Sequence, residues 1–545
     1  MRNVSAGVRM LRALLALLAL TLLSSTLLAG TAGAAPRASF GASSGELVDC
    51  SAGSVAPMQV LEVRGGRLTI FEDRYYAIRA RAREGRPRWS VTLDGIMIVV
   101  RNDDSSFPCT ANVPWQEIKL IRYVGGLRHG QFDATGLGIL SVRVILEGNE
   151  GDDILTGGPN SDVLTGGAGQ DTLRGGDGFD MLIGGAGVDR LEGGPGWDHL
   201  VGIDEGSLDT LSDADGRDVF WSELRWDGRR FVGDRVLGAG SDDVVRRVAR
   251  FANAWGGADL SLDGDDIVDP AVPDPAVDSR APSGLVWRSY RGLLLPLFQN
   301  RTAARAEDIN QGAIGDCKAM SAIFSLAANA AGGTWPIYAR MADFGDGTYG
   351  VAFGSQVYRV DADFVSVPRG DGSYAVAFAK PGPRQAVWAM VLEKTLAYAT
   401  ALDPQRPRFW RLAGVVSPRE VWEGFGGTAY SRPMFSEFAS SADDFTRKLQ
   451  ALLDQHSNVV IGASSAWGTV PGGHAYALVG LVRSGGRVTG IQLFNPWGRD
   501  GSSNGYDDGN PEDGVVTLPL ATVWGQGRLA SSPGFVYQGS PLPAP

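Results

Sequence analysis

Residues 175–182 have the sequence Gly-Gly-Asp-Gly-Phe-Asp-Met-Leu, and this unit recurs in phase along the chain. Equivalent positions are nine residues apart, and six units follow one another between residues 148 and 200. Each unit has an aspartate at the same position: Asp153, Asp162, Asp171, Asp180, Asp189 and Asp198. Each has a leucine two residues later: Leu155, Leu164, Leu173, Leu182, Leu191 and Leu200. A flexible glycine-rich linker is the alternative, but a linker does not require a fixed phase.

The period predicts a parallel β-roll over residues 146–202, in which two units make one turn of a solenoid. Glycines take the turn conformations, leucines point inward, and the aspartates face one edge. Carboxylates on stacked turns repel one another unless a cation lies between them, and aspartate and carbonyl oxygens suit Ca²⁺. The segment resembles the RTX calcium-binding repeat family, which implies that the six aspartates are calcium ligands. The pattern weakens at Glu147-Gly148 and Asn160-Ser161, so we expect poorer sites at the ends of the array.

The N-terminus has the composition of an export signal. Three arginines lie within the first twelve residues, an apolar run follows from Ala13 to Leu28, and small residues end at Ala34. This order predicts a cleaved secretory signal peptide over residues 1–34, with a membrane anchor as the alternative. We therefore expect a protein that is secreted, whether released or held at the cell surface.

Alternating apolar and polar residues predict a small N-terminal β domain over residues 44–145. Two of the three cysteines of the chain, Cys50 and Cys109, lie in this region. In an exported protein they can form a disulfide that closes a loop of about 60 residues, a constraint of roughly 4 kcal/mol in the chain-entropy model. Two buried free thiols are the alternative.

Residues 203–283 are interpreted as a connecting region. Asp242 to Trp255 has apolar residues on one helical face, which predicts an amphipathic helix. Asp265 to Pro282 is rich in Pro, Asp and Ala, which is typical of a linker. From 284 to 540 the composition is that of a globular domain with both helices and strands.

Length and charge limit the function classes. A chain of 545 residues is too long for one hydrophobic core, so several domains are expected. The net charge of −11 disfavours nucleic acid as a partner, because phosphate binding needs a basic face. Beyond the signal, no stretch is long and apolar enough to predict a transmembrane segment.

The remaining cysteine lies in a sequence that suits a nucleophile. Residues 311–317 have the sequence Gln-Gly-Ala-Ile-Gly-Asp-Cys and lead into a predicted helix over Lys318 to Ala330, with Asp316 as its N-cap. At a helix N-terminus, unsatisfied N–H groups and the helix dipole favour the thiolate of Cys317. A packed core cysteine is the alternative interpretation.

A predicted hairpin brings a histidine and an asparagine together. His474 begins one apolar strand, Asn495 ends the next, and the turn Ser484 to Arg487 lies midway between them. An antiparallel hairpin would therefore place the two side chains side by side. Asn495 would then accept from one imidazole nitrogen and leave the other nitrogen to exchange a proton with Cys317.

The three motifs QGxxGDC, GHAY and NPWG, in this order, resemble the calpain-type cysteine protease family. The resemblance implies an α+β papain-like domain that cleaves protein or peptide substrates. It implies that Cys317 is the nucleophile, His474 the general acid and base, and Asn495 the residue that orients the imidazole. It also implies that Gln311 contributes to the oxyanion hole and that Trp497 shields the His474–Asn495 hydrogen bond.

The resemblance covers roughly residues 285–540 and has one marked departure. The family usually has an aromatic residue after the cysteine, whereas this chain has Lys318. A catalytically inactive, calcium-dependent surface or adhesion protein is therefore kept as the alternative, beside another acyl-transfer enzyme that uses Cys and His. A GxSxG match at residues 501–505 precedes no predicted helix, and every histidine lies before it, so a serine hydrolase is disfavoured.

Overall fold

The protein is described from a computed structural model. It describes residues 61–64, 66–71, 88–94, 97–102, 110–114, 116, 118–138, 141–204, 206–213, 215–253, 275, 284–290, 297–298, 304–312, 315–329, 335–381, 386–402, 409–412, 416–463, 473–497, 514–526 and 534–540. The predicted signal peptide, Cys50, Cys109 and most of the predicted linker lie outside these residues, so the disulfide stays a prediction.

The first part of the described chain is built from short strands. In chain order they are β1 (Leu61–Arg64), β2 (Arg67–Phe71), β3 (Arg88–Asp94), β4 (Met97–Asn102), β5 (Thr110–Pro114), β6 (Leu120–Val124), β7 (Gln131–Gly136), β8 (Arg143–Glu150), β9 (Ile154–Thr156), β10 (Val163–Ala168), β11 (Thr172–Arg174), β12 (Met181–Ala186), β13 (Arg190–Glu192), β14 (His199–Gly202), β15 (Thr210–Ser212), β16 (Val219–Trp226), β17 (Phe231–Gly233), β18 (Arg235–Leu237) and β19 (Val244–Val248). They form two sheets, which are the two walls of a roll.

The strands of the repeats pair in parallel with a register of 18 residues. In one sheet Leu164 pairs with Leu182, and in the other Leu173 pairs with Leu191. Two nine-residue units therefore make one turn, as the period predicts. The six repeat leucines are completely buried between the sheets, because alternate strand residues point to the same side. Glycine is required at Gly167, which has φ 113° and whose added Cβ would lie 2.0 Å from the Asn149 carbonyl oxygen.

The roll is longer than the repeats predict. At its N-terminal end β2, β6 and β8 join the sheet of β10, while β3 and β7 join the sheet of β9. The described residues of the predicted N-terminal β domain are strands, and their buried side chains form one continuous core with the repeat leucines. At the other end β16 and β19 extend the first sheet, and β15 and β18 extend the second.

The predicted helix from Asp242 to Trp255 is wrong where the structure describes it. Residues Val244 to Val248 form β19, which pairs in parallel with β16. Val244 and Val248 are buried at opposite ends of the strand. A spacing of four residues suits one face of a helix and one face of a strand alike, and the available sheet edge decides between them.

The second part of the chain contains helices and strands. Its helices are α1 (Cys317–Asn329), α2 (Trp335–Tyr338), α3 (Trp388–Ala399), α4 (Pro418–Gly424) and α5 (Ala442–Asp454). Its strands are β20 (Val286–Ser289), β21 (Met341–Asp343), β22 (Thr348–Phe353), β23 (Gln356–Asp361), β24 (Asp363–Pro368), β25 (Tyr374–Val376), β26 (Ala429–Pro433), β27 (Asn458–Ala463), β28 (His474–Ser484), β29 (Arg487–Phe494), β30 (Val515–Pro519) and β31 (Phe535–Gly539). Short 3₁₀ and π segments lie at Ala306–Asp308, Phe409–Leu412, Met434–Phe438 and Ala521–Gln526.

Helix α1 packs against an antiparallel sheet of six described strands in the order β26-β31-β27-β28-β29-β30. Phe324 of α1 stacks on Phe494 of β29, with ring centroids 3.7 Å apart and an interplanar angle of 10°. Trp422 of α4 donates from its indole to the Ala322 carbonyl oxygen and holds the other side of α1. The helix is therefore fixed in position relative to the β28–β29 hairpin.

The roll and the second part share one hydrophobic cluster. Trp221 of β16 packs edge-on against Phe344, with ring centroids 6.1 Å apart. The backbone of Ala252 donates to the Val357 carbonyl oxygen at 2.7 Å, so the end of the roll is hydrogen-bonded to β23. Among the described residues, no helix is both long and apolar enough to cross a membrane.

Candidate active site and calcium sites

Cys317 is the first residue of α1 and is 6% exposed. Its Sγ lies 3.9 Å from the carbonyl oxygen of Gly473, the residue before His474. One turn further along α1, the hydroxyl of Ser321 donates to the Ala475 carbonyl oxygen at 3.0 Å. The first two turns of α1 therefore lie against the beginning of β28, although 156 residues separate Cys317 from Gly473.

The predicted hairpin is present, with Ser484 paired to Arg487 at its turn. His474 Nε2 lies 3.0 Å from Asn495 Oδ1, so the ring donates from Nε2 and leaves Nδ1 as an acceptor. Asn495 is held in turn, because its backbone N–H donates to the Gly514 carbonyl oxygen at 2.7 Å. The ring of Trp497 lies 4.5 Å from the His474 ring, beside the predicted hydrogen bond.

Gln311 lies beside the same constellation. Its backbone N–H donates to the Pro496 carbonyl oxygen at 2.7 Å, next to Asn495. It is 5% exposed, and its side chain lies against the Asp316 carboxyl group. The four residues predicted from sequence, Gln311, Cys317, His474 and Asn495, are thus gathered where α1 meets the hairpin.

The protonation state of Cys317 differs from the thiolate that its position at a helix N-terminus predicts. Burial raises the pKa of the Cys317 thiol to about 11, although a hydrogen bond from the Ala475 backbone and the charge of Lys318 oppose this shift. Burial also lowers the pKa of His474, against the effect of its bond to Asn495. The resting pair is therefore a thiol and a neutral imidazole, because the loss of solvation outweighs the helix N-terminus.

A buried carboxyl pair lies behind Cys317, and the sequence did not suggest it. Asp316 and Glu393 are 1% and 2% exposed, and their carboxyl groups lie close enough for each to shift the pKa of the other. Burial raises the pKa of Asp316 to about 6 and that of Glu393 well above its usual value. Asp316 therefore turns towards α3, and its side chain does not act as the predicted N-cap.

Residues 276–512 match the family described as calpain family cysteine protease. Residues 145–173 and 174–202 match the RTX calcium-binding nonapeptide repeat, of which the family pattern holds four copies. The chain carries a calpain-family cysteine protease domain behind an RTX repeat array. A search of curated proteins finds no match for it.

The RTX aspartates are hydrogen-bonded in two rows. One oxygen of each of the last four accepts from the backbone N–H of the aspartate 18 residues earlier, as Asp180 Oδ1 does from Asp162 at 2.8 Å. The first two, Asp153 and Asp162, accept instead from the backbone N–H groups of Gly130 and Val144. We expected all of the aspartates to face one edge of the roll, but the two rows lie at opposite edges. Consecutive units occupy opposite sheets, so their aspartates alternate between the two edges.

The second oxygens of these aspartates suit calcium. In the described structure, the Oδ2 atoms of Asp171, Asp180, Asp189 and Asp198 are buried and accept no hydrogen bond. Burial raises the pKa of Asp180 to about 9 and that of Asp189 to about 8, so both carboxylates are costly to ionise without a counter-charge. The RTX repeats and the calpain-family domain together make the protein a calcium-binding cysteine protease by family.

The rows continue beyond the RTX match. Asp189 N–H donates to Asp209, Asp198 to Asp218, Asp209 to Asp234 and Asp218 to Asp243, at 2.7 to 3.0 Å. The nine-residue period does not predict these turns, because insertions lengthen the spacing from 18 residues to 20 and 25. The signal that remains is local: an aspartate followed two residues later by an apolar side chain, as in Asp209-Thr210-Leu211.

Proposed function

We propose that this protein is a secreted cysteine endopeptidase that cleaves proteins through a thioester on Cys317. The observation that carries the proposal is the 3.0 Å contact of His474 Nε2 with Asn495 Oδ1, beside a cysteine whose Sγ lies 3.9 Å from Gly473 O. The sulfur therefore lies beside the start of the strand that carries His474, which supports a cysteine and a histidine that act together in acyl transfer.

In the proposed mechanism, His474 Nδ1 takes the thiol proton while the sulfur of Cys317 attacks the peptide carbonyl carbon. The Gln311 side-chain amide and the Cys317 backbone N–H donate to the oxyanion that forms. His474 then protonates the leaving amine, and a thioester remains. A water molecule, deprotonated by His474, attacks the thioester and releases the acid, and the proton returns to the sulfur. Asn495 keeps the imidazole in the tautomer that these steps need.

The resting state has a thiol and a neutral histidine, which is compatible with this sequence of steps. The proton moves as the carbon–sulfur bond forms, so a preformed ion pair is not required. Calcium has no chemical step in this mechanism. When bound, it neutralises the aspartate rows of the roll, of which Asp153, Asp162, Asp171, Asp180, Asp189 and Asp198 were predicted from sequence.

The same proposal includes the finer predictions. We retain three predictions from the sequence: a signal peptide over residues 1–34, export to the outside of the cell and a Cys50–Cys109 disulfide. The catalytic domain is proposed to span residues 284–540, with an α+β papain-like arrangement. Helix α1 facing the six-stranded sheet across the site supports this arrangement.

The test is digestion of a peptide library by the full-length protein with calcium present. We expect defined cleavage products from the wild type and none from Cys317→Ala or His474→Ala. His456→Asn is the matched control, because His456 is exposed and lies outside the site. Cleavage by Cys317→Ala at the wild-type rate would overturn the assignment.

One alternative has specific support. Lys318 stands where the family usually has an aromatic residue, and burial holds the Cys317 thiol protonated. Both features suit a calcium-dependent surface or adhesion protein on an inactive protease scaffold. The library digestion decides between them, since the alternative predicts no products from the wild type.

A further inference from the structure

The last residues of β16 leave the wall of the roll and form a hairpin with β17. The pairing of β16 with β19 ends at Glu223, and the residues after it pair antiparallel with β17, with Trp226 opposite Phe231. All residues from 226 to 231 are exposed. The hairpin of residues 224–233 therefore projects from the roll into solvent.

The turn at the tip of this hairpin has a fixed shape. Asp227 Oδ1 accepts from the backbone N–H groups of Arg229 and Arg230, both at 2.8 Å. The Asp227 backbone N–H donates to the Arg230 carbonyl oxygen at 3.1 Å. Gly228 has φ 91°, a conformation that glycine adopts without steric cost. The Asp227 carboxylate is thus used within the turn, and the tip keeps its shape without contacting the rest of the protein.

Two aromatic side chains lie together on the hairpin with most of their surface in water. Trp226 is 58% exposed and Phe231 is 61% exposed. Their ring centroids are 5.2 Å apart, and the angle between the rings is 68°. A single exposed apolar residue needs no explanation, but two large rings side by side on a projecting tip form a surface whose burial would lower the free energy.

Arginines surround this aromatic pair. Arg225 precedes Trp226, while Arg229 and Arg230 lie in the turn, where the Arg230 side chain is 81% exposed. The hairpin contains three arginines and one aspartate, which gives it a net charge of +2, whereas the whole chain has a net charge of −11. A basic, aromatic tip on an acidic protein suits an anionic surface.

The size of the aromatic patch decides which kind of partner it fits. An aromatic side chain can bury about 150–250 Å², so the exposed parts of the two rings offer roughly 200–300 Å². A stable interface with another protein or a second copy of the chain needs about 800 Å² from each partner. A membrane requires no such matching surface, because aromatic rings enter its interfacial layer individually and arginines pair with lipid phosphates.

We propose that the hairpin of residues 224–233 attaches the protein to a membrane surface that carries anionic phospholipid headgroups. Trp226 and Phe231 enter the headgroup layer, and the three neighbouring arginines pair with the phosphates. The proposal goes beyond the proposed function, because it does not depend on the chemistry of Cys317.

The first test is sedimentation of the full-length protein with vesicles at one fixed calcium concentration. Vesicles of phosphatidylcholine alone are compared with an equal mixture of phosphatidylcholine and phosphatidylglycerol. The wild type should bind the mixed vesicles at least about tenfold more strongly. Trp226→Ala/Phe231→Ala should weaken this binding at least about tenfold, because the apolar contact is lost. Arg229→Gln/Arg230→Gln should weaken it about fivefold for each arginine removed.

The matched controls are exposed residues outside the hairpin. Tyr430→Ala removes an aromatic ring that is 52% exposed, and Arg369→Gln/Arg432→Gln removes two exposed positive charges. Both controls should bind the mixed vesicles as the wild type does, and calcium bridging contributes equally to every sample. A wild type that does not bind the mixed vesicles, or unchanged binding in both hairpin variants, would overturn the proposal. Equal binding of the wild type to both kinds of vesicle would overturn the choice of an anionic surface.

The second test measures self-association without vesicles by sedimentation velocity. The wild type and Trp226→Ala/Phe231→Ala should sediment alike, because the hairpin is too small to hold a second copy. An oligomer that the wild type forms and this variant does not would assign the hairpin to contacts between copies and refute the attachment to a membrane. Neither measurement bears on whether Cys317 cleaves peptides.

Discussion

The environment of Cys317 combines two opposing effects. A helix N-terminus and the charge of Lys318 favour the thiolate, while burial of the sulfur favours the thiol. Only the first effect can be predicted from the sequence, since the start of the helix and the residue after the cysteine follow from local residues. Burial prevails because β28 covers the first turn of α1, and the sequence alone does not reveal that cover.

Asp316 and Glu393 form a similar buried site beside the nucleophile. Two carboxylates that face each other away from water repel, so one of them keeps a proton. Glu393 also accepts from the Ala379 backbone N–H at 3.0 Å, which leaves its other oxygen to face Asp316. Because Asp316 precedes Cys317 and contacts the Gln311 side chain, the pair lies between the proposed nucleophile and the proposed oxyanion-hole residue.

Glu393→Gln should change how stability depends on pH. In the unfolded chain both carboxyls ionise near pH 4, whereas the folded protein keeps the shared proton to higher pH. The wild type should therefore lose stability as pH rises from about 4 through the raised pKa of Asp316, about 6. The loss is about 1.4 kcal/mol for each pH unit over which the extra proton is held.

In Glu393→Gln the glutamine amide can donate to Asp316 without a shared proton. The free energy of unfolding of this variant, measured with urea, should therefore decline less between pH 5 and 8 than that of the wild type. Glu423→Gln, at an exposed position on α4, is the control and should follow the wild type. Parallel stability curves for Glu393→Gln and the wild type would contradict a shared proton.

Among the elements of the roll, the strands are stabilised mainly by the column of leucines buried between the two sheets. Leu164, Leu182 and Leu200 stack from β10 to β14 with no exposed surface. Each strand has three to six residues in the repeats, so backbone pairing alone holds little of the structure. The side chains between the two sheets therefore supply most of the free energy of folding of the roll.

Leu182→Ala should lower the free energy of unfolding of the roll by about 2–5 kcal/mol, because the cavity cannot collapse between fixed strands. The expected result is a lower midpoint of thermal unfolding, followed by the far-ultraviolet circular dichroism of the calcium-loaded protein. Leu127→Ala is the control, since Leu127 is 68% exposed and should cost under about 0.5 kcal/mol. Equal midpoints for the two variants would refute the role of the column.

At the scale of the molecule, the outer face of the roll is part of the core of the protease domain. His199, Trp221 and Val201 are 0% exposed because Tyr338, Phe344 and their neighbours cover them. Arg246 of β19 also donates to the Ala339 carbonyl oxygen at 2.5 Å. The repeats are therefore not a separate module, and changes in the roll reach the protease domain through direct packing.

Trp221→Ala should loosen the protease domain, although Trp221 lies in the roll. We expect a loss of about 3–5 kcal/mol and faster hydrogen exchange in β21 and β22, next to Phe344. Trp226→Ala on the same strand is the control, because Trp226 is 58% exposed. Unchanged exchange in residues 341–353 of Trp221→Ala would show that the two parts are stabilised independently.

The features that the sequence determined by itself are those with local causes. A period of nine residues implies the turns and the inward leucines of the roll, and the turn at Ser484 to Arg487 implies that His474 and Asn495 are neighbours. The tertiary structure alone decided the remaining features: the protonated thiol of Cys317, the Asp316–Glu393 pair, the strand at Val244 to Val248 and the shared core. Each depends on which surface covers a residue, and burial arises from contacts between segments that the spacing of residues along the chain does not encode.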